Sequence, residues 1–264
     1  MKADGQEFRH IELSIDGGIA IITFNRPEVR NAINDAMRVE FATVLDRLSN
    51  DDAARAVVLT GKGAGFCSGG DIAGMKERLA APAGEIAFTG WQRQKRLHQA
   101  IAILRGMGKP TVAAVNGAAA GLGCDLALAC DFIIASEAAS FAMSFILRGL
   151  VPDGGGLYFL PRRVGLTRAK ELIFTGRRVP AQEALAIGLI DRLTSPERLL
   201  ADACEWAKQL SGGSNVAMAL SKAILNKTFE LDEEQVLALG REAQAICYTT
   251  AEHREAVSAF LNKK

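Results

Sequence analysis

Apolar and polar positions follow a two-residue rhythm broken by helical stretches up to about residue 190, and a nearly pure helical rhythm afterwards. Runs rich in β-branched residues at 11–15 and 19–24 flank Asp16-Gly17-Gly18 and predict a hairpin. Asn25-Arg26-Pro27 ends its second strand. Asn34 then caps a helix over 35–48 with Met37, Phe41, Val44, Leu45 and Leu48 on one face. A strand is predicted over 56–60, a loop over 61–65 and a glycine turn over 66–72. Pro82, Gly84 and Gly90 interrupt the pattern between 76 and 108, so a helix is predicted only over 92–104. Strands follow over 111–115 and 132–135, with 140–145 as a candidate continuation of the sheet. After the glycine-rich segment 149–156, Thr167 caps a helix over 168–174 closed by Gly176. Another over 181–187 ends at Gly188, Ser195-Pro196 opens the next, and helices over 214–226, 233–247 and 252–261 complete the chain. The fold class is therefore α/β. Residues 1–190 form a mixed core, and 191–264 a helical region too short for a core of its own, which wraps a neighbouring element or another subunit.

One stretch stands out, Asn116-Gly117-Ala118-Ala119-Ala120-Gly121-Leu122-Gly123-Cys124-Asp125. It joins the buried strand over 111–115 to a buried helical segment over 126–129. Glycines and alanines leave its backbone amides bare, and the first turn of a helix carries unpaired N–H groups and partial positive charge. Such a turn is a candidate anion or oxyanion site, with Asp125 beside it.

Composition narrows the choices. A net charge of +1 over 264 residues gives no reason to expect nucleic acid or an anionic membrane as partner. The N-terminal segment is polar and no apolar run is long enough to span a bilayer, so a soluble, cytoplasmic protein is expected. Cys67, Cys124, Cys130, Cys204 and Cys247 lack CxxC spacing and read as free thiols of a reducing compartment. The dinucleotide fingerprint fails at Phe66 and Leu126, the P-loop fails at Gly63, and no GxSxG elbow exists. His10, His98 and His253 are far apart in sequence, so no metal site is predicted.

Two glycine turns remain, Ser68-Gly69-Gly70-Asp71 and Gly121-Leu122-Gly123, each after an apolar strand. Were those strands neighbours, one amide from each could converge on a single oxygen as an oxyanion hole, with Asp125 and Asp153 available to move protons. Asn25-Arg26-Pro27 with Asn31-Ala32, Phe66-Cys67-Ser68-Gly69-Gly70-Asp71-Ile72, Lys109-Pro110 with Ala113-Ala114-Val115-Asn116-Gly117, Cys130-Asp131 and Pro152-Asp153-Gly154-Gly155 together resemble the enoyl-CoA hydratase/isomerase (crotonase) superfamily. The resemblance runs in order over essentially the whole chain. It implies a crotonase-like spiral of ββα units with a helical C-terminal trimerisation region, assembled as a homotrimer or dimer of trimers. It implies an acyl-CoA thioester substrate, with coenzyme A as part of that substrate and no other cofactor. By position, the thioester oxygen would sit between the amides of Gly70 and Leu122, where the family usually has glycine in place of Leu122. Ser68, Asp71, Ile72 and Ala73 match the segment along the CoA chain, Arg30 lines the adenine end, and Lys263 is placed to reach a neighbour's CoA phosphates.

The departure from the family lies in the acids. Typical hydratases carry two glutamates; the first position here is Asp125, and the second falls at Phe145, which has no acid–base capacity. In relatives that shift double bonds, and in an aromatic dehalogenase, an aspartate occupies the place of Asp153. The expectation is an enoyl-CoA isomerase or hydratase in which Asp153, with Asp125, is catalytic, and a lone shuttling carboxylate favours isomerisation. Hydration through Asp125 and Asp153, dehalogenation with Asp153 as nucleophile and His98 as base, and an inactive acyl-CoA-binding scaffold are the alternatives. Asp125 reads equally as a helix-terminus residue, His98 as a packing histidine, Asp71 as an organiser of the first turn, and Cys67 and Cys124 as apolar fillers. Phe88 and Trp91 read as core or lid packing, or as an acyl-pocket wall.

Overall fold

A computed structural model describes residues 8–262 of the chain. The β-branched runs at the start form β1 (Ile11–Asp16) and β2 (Ile19–Phe24), paired antiparallel with Asp16 opposite Ile19, so Gly17 and Gly18 alone make the turn. Asn34 Oδ1 accepts from the Met37 amide and caps α1 (Asp35–Ser49), whose buried face is Met37, Phe41, Val44, Leu45 and Leu48, as the spacing predicts. From here the chain repeats one unit: a long strand, a short strand and a helix. These units are β3 (Ala56–Gly61), β4 (Gly65–Cys67) and α2 (Ile72–Arg78) with α3 (Ala83–Gly106); β5 (Thr111–Val115), β6 (Ala118–Ala120) and α4 (Leu122–Ala129); and β7 (Phe132–Ser136), β8 (Ser140–Ala142) and α5 (Gly156–Val164). The remainder is α6 (Leu166–Thr175), β9 (Arg178–Pro180), α7 (Ala181–Ala186), β10 (Arg192–Thr194), α8 (Leu199–Leu210), α9 (Asn215–Leu225), α10 (Glu233–Tyr248) and α11 (Ala251–Leu261).

Long and short strands sort into two sheets. The first has the order β1-β2-β3-β5-β7-β10, parallel apart from β1; the second is β4-β6-β8-β9, parallel apart from β9. Strands buried on both faces read as near-continuous apolar runs, which is why Ala56–Thr60 and Thr111–Val115 lack alternation. The result is the expected spiral of ββα units. One core lies between the sheets and helices α1, α3 and α4, and a second lies where Leu199, Ala203, Trp206 and Ala207 of α8 cover Val58, Val112, Ala114 and Ile134. Thus β10 and α8, both beyond residue 190, complete the first sheet and its outer layer. Helices α10 and α11 bury no residue and leave Leu237, Ile246, Tyr248, Val257, Phe260 and Leu261 exposed. Among the described residues, no helix is long and apolar enough to cross a membrane.

The structure departs from the pattern reading in several places. Helix α3 is 24 residues long and runs through Gly84 and Gly90, since both face open space and Pro82 sits at its N-cap, where a missing N–H is harmless. Phe88 and Trp91 lie on its outer side, 60% and 62% exposed, and are not core. Thr167 lies inside α6, whose N-cap is Gly165, and α8 starts at Leu199 rather than at Ser195-Pro196. Of 140–145, only Ser140–Ala142 is strand, and it belongs to the second sheet.

The Cys130-Asp131 pair closes one end of the first sheet. Asp131 Oδ2 accepts from the Thr111 amide at 2.8 Å and from Lys222 Nζ at 2.6 Å, and the same ammonium donates to the Lys109 carbonyl at 2.8 Å. Lys222 is 10% exposed and Asp131 19%, so removing one partner strands a charge away from water. Asp131→Ala should cost roughly 3 kcal/mol of unfolding free energy and detach α9, checked by denaturant titration and by hydrogen exchange of the α9 amides; an unchanged midpoint would contradict this role.

Candidate active site

Glycines set how closely the two turns approach. β4 and β6 pair in parallel, with Gly65 opposite Ala118 and Cys67 opposite Ala119. A methyl group on Gly123 would lie 2.1 Å from the Cys67 carbonyl oxygen, and one on Gly69 would lie 2.8 Å from the Ala120 oxygen and 3.4 Å from the Leu122 nitrogen. Only glycine lets these backbones meet. The condition set by the sequence, that the strands before the two turns be neighbours, is met, and the turns touch.

The amides at the contact have defined directions. The Gly69 carbonyl accepts from the Ile33 amide at 2.7 Å and the Asp71 amide donates to the Ile33 carbonyl at 3.1 Å. In a planar trans peptide the Gly70 N–H then points away from Ile33. Leu122 is the first residue of α4, so its N–H has no acceptor four residues back and lies at the positive end of the helix.

The segment 26–33 braces the first turn. Arg30 and Asn31 both adopt left-handed backbone, at φ 52° and 58°. Such residues persist only where surrounding bonds over-determine them. Here the Asn31 side chain accepts from the Arg26 amide at 2.9 Å and donates to the Gly65 carbonyl at 2.8 Å, and the Arg30 carbonyl accepts from the Ser68 amide at 2.9 Å. Asp71 takes an ion pair from Arg26 at 2.8 Å and accepts from the Ala73 amide at 2.9 Å. The guanidinium hydrogen bond is the main reason its carboxyl lies below the ordinary carboxylate range. Arg30, Ser68, Ile72 and Ala73 are exposed around this brace. Lys263 lies outside the described residues. Burial pushes the Cys67 thiol up to about 12 and raises that of Cys124 as well, so both are inert filler beside the turns.

The two aspartates lie in contrasting surroundings. Asp125 is fully buried; its Oδ2 accepts from the Gly154 amide at 2.8 Å, and its Oδ1 makes no well-formed hydrogen bond. Burial pushes its carboxyl up to about 8, against the opposing amides of Gly154 and Gly156. Asp153, one residue before Gly154, is only half-buried. Burial raises its carboxyl too, while its own amide and the side chains of Arg38, His98 and Arg93 pull it down. His98 reaches the Asp153 backbone carbonyl with Nε2 at 2.7 Å; a carbonyl can only accept, so the ring carries a proton on that nitrogen. Phe145 is buried, with its ring against Gly121. Sequence reasoning missed Arg38 and Arg93. Arg38 sits one position off the apolar stripe of α1, and Arg93 lies near the start of the predicted helix over 92–104, where nothing local marks it as facing the 152–156 turn.

The model of the enoyl-CoA hydratase/isomerase family matches residues 14–264. The chain belongs to that family. It is 36% identical to the short-chain-enoyl-CoA hydratase of Clostridium acetobutylicum, over 98% of this chain and 97% of that protein. It is 35% identical to the 1,2-epoxyphenylacetyl-CoA isomerase of Escherichia coli, over 95% and 94% of the two chains. The crystal structure of an enoyl-CoA hydratase/isomerase from Cupriavidus metallidurans CH34 superposes with a TM-score of 0.90 at 35% identity, covering 98% of this chain and 96% of that one. Members of this family thus include both hydratases and an isomerase.

Asp125 supplies a check on this geometry that needs no substrate. Held neutral in the fold up to about 8 but ionising at its ordinary 3.8 when unfolded, it contributes stability that is fully present below 3.8 and lost as pH rises through about 8. Asp125→Asn removes the titration. Its stability relative to wild type should therefore improve across that window by up to about 1.4 kcal/mol per pH unit, read from melting curves at several pH values. A difference that does not change with pH would contradict the burial of this carboxyl.

Proposed function

We propose that this enzyme binds an acyl-CoA thioester, holds its carbonyl oxygen between the amides of Gly70 and Leu122, and shifts a double bond with Asp153 as the base. The Asp153 carboxylate takes a proton from the carbon next to the thioester carbonyl. The electron pair passes into the carbonyl, the two amides carry the resulting oxyanion, and Asp153 returns the proton two carbons further along. One observation carries the preference for isomerisation. Of the two acids beside the turns, Asp125 is sealed and committed to the Gly154 amide, while Asp153 is reachable. A single reachable carboxylate is enough to move a proton between two carbons, whereas adding water conventionally uses two. In this reading Asp125 holds the 152–156 turn, and the nearby charges of Arg38 and Arg93 offset part of the upward push that burial gives the Asp153 carboxyl.

Hydration is the second reading, favoured by one property of Asp125: a carboxyl pushed to about 8 is protonated at neutral pH and is an acid ready to donate. The exposed patch of Arg30, Ser68, Ile72 and Ala73 is proposed to carry the CoA moiety, together with Lys263. A homotrimer, or two trimers together, is proposed to cover the apolar residues that α10 and α11 leave exposed.

Asp153→Asn should lower turnover by at least about a hundredfold while acyl-CoA still binds, measured with crotonyl-CoA, a 3-enoyl-CoA and a ring-bearing acyl-CoA in parallel. The 3-enoyl-CoA should be the substrate turned over. Its kcat/KM should rise with pH through a value above the ordinary carboxylate range, because the raised Asp153 carboxyl must be ionised to act. Retained turnover in Asp153→Asn would overturn the assignment, and an acyl-enzyme on Asp153 seen by mass spectrometry would replace it with the nucleophilic route. His98→Gln keeps a nitrogen donor for the Asp153 carbonyl but no base, so it should retain most activity if His98 only holds the turn.

A further inference from the structure

The two amides proposed to hold the thioester oxygen are backed differently. Leu122 opens α4, an eight-residue helix whose aligned peptides favour negative charge at its N–H. Gly70 precedes α2, and its amide lies outside that helix. Behind Gly70 is instead a line of hydrogen bonds that ends on a cation. Arg26 Nη1 donates to the Ala32 carbonyl, and the same Ala32–Ile33 peptide donates its N–H to the Gly69 carbonyl at 2.7 Å. The Gly69–Gly70 peptide then presents the Gly70 N–H on its opposite side. Both peptides are trans, so their dipoles align head to tail from the guanidinium toward the site. Arg26 is 13% exposed, away from the screening of bulk water.

We propose that Arg26 is a positioning residue for the oxyanion hole: through the Ala32–Ile33 and Gly69–Gly70 peptides it fixes and polarises the Gly70 N–H. The inference rests on the reading of Gly70 as one of the two donors. Hydrogen bonds in a chain polarise one another, so a cation at the far end strengthens the last donor without touching the substrate. Asp71 pairs with the same Arg26 nitrogen at 2.8 Å, which holds the guanidinium in place and offsets part of its charge. The Arg26–Asp71 pair is thus separable from the relay: Asp71 anchors the cation, and the Ala32 carbonyl passes its effect on.

The test uses the full-length enzyme with butyryl-CoA carrying an isotope-labelled thioester carbonyl, whose stretching frequency is read by difference infrared spectroscopy. Wild-type enzyme should lower that frequency relative to the free thioester in water. Arg26→Met should reverse part of the lowering, leave butyryl-CoA affinity little changed, and reduce kcat on the preferred substrate about tenfold, less than loss of a direct donor would. Arg26→Lys should restore the lowering, because one ammonium nitrogen can make both contacts that the single Nη1 makes. Asp71→Asn should keep it. If Arg26→Met does not fold, Arg26→Gln, which retains a neutral donor, should show a reduced lowering. A frequency unchanged in Arg26→Met or Arg26→Gln overturns the proposal, as does Asp71→Asn erasing the lowering as fully as the loss of Arg26. No lowering in the wild type would instead overturn the oxyanion reading of Gly70 and Leu122, and the proposal with it.

Discussion

The carbonyl of Cys67 lies so close to the α-carbon of Gly123 that no side chain fits between them, and the same is nearly true of Gly69 against the Ala120 carbonyl. This backbone contact depends on β4 lying beside β6, which depends in turn on the alternation of long strands in one sheet and short strands in the other. The first two ββα units place their turns at the C-terminal ends of the neighbouring parallel strands β4 and β6. Two consecutive units therefore bring together amides that are about fifty residues apart in sequence. Nothing in either turn alone makes a site; the pairing of two three-residue strands does.

Around that contact the fold makes two similar carboxyls behave differently. Asp125 and Asp153 flank one turn, yet burial drives Asp125 to about 8 while Asp153 stays only half-buried, in the company of Arg38, His98 and Arg93. Environments that separate the proton affinities of neighbouring groups are a common way of dividing roles between them. Here the sealed acid holds the backbone of the turn that carries the reachable one. A tight turn with glycines on both sides of the interaction, Gly154 and Gly156, is what lets the Asp125 carboxyl approach so closely.

Much of this was legible in the sequence, and the exceptions have physical causes. The apolar stripe of α1 and the cap at Asn34 read correctly because both are local. That each glycine turn allows a close backbone approach was legible in its glycines, whereas the contact of the two turns with each other was only a condition, since the pairing of β4 with β6 is a tertiary relation. The sequence pattern shows only about half of helix α3, because exposed glycine weakens a helix without stopping it; packing of Leu97, Ala100, Ile101 and Leu104 in the core sustains the rest. Arg38 and Arg93 were illegible because their importance comes from the approach of α1 and α3 to the 152–156 turn, a tertiary relation with no local pattern. The positions of Arg26 and Asp71 were visible within motifs, but their partnership spans 45 residues and appears only in the fold.

If one carboxylate carries the proton between two carbons of the thioester enolate, as proposed, isotope transfer will show it. A 3-enoyl-CoA bearing deuterium on the carbon next to the carbonyl is converted in ordinary water, and a parallel reaction is run in heavy-oxygen water. A single shuttling Asp153 predicts a 2-enoyl product that retains part of the deuterium two carbons further along, with no heavy oxygen incorporated. A 3-hydroxyacyl product carrying the solvent oxygen, with no deuterium transferred, would contradict it.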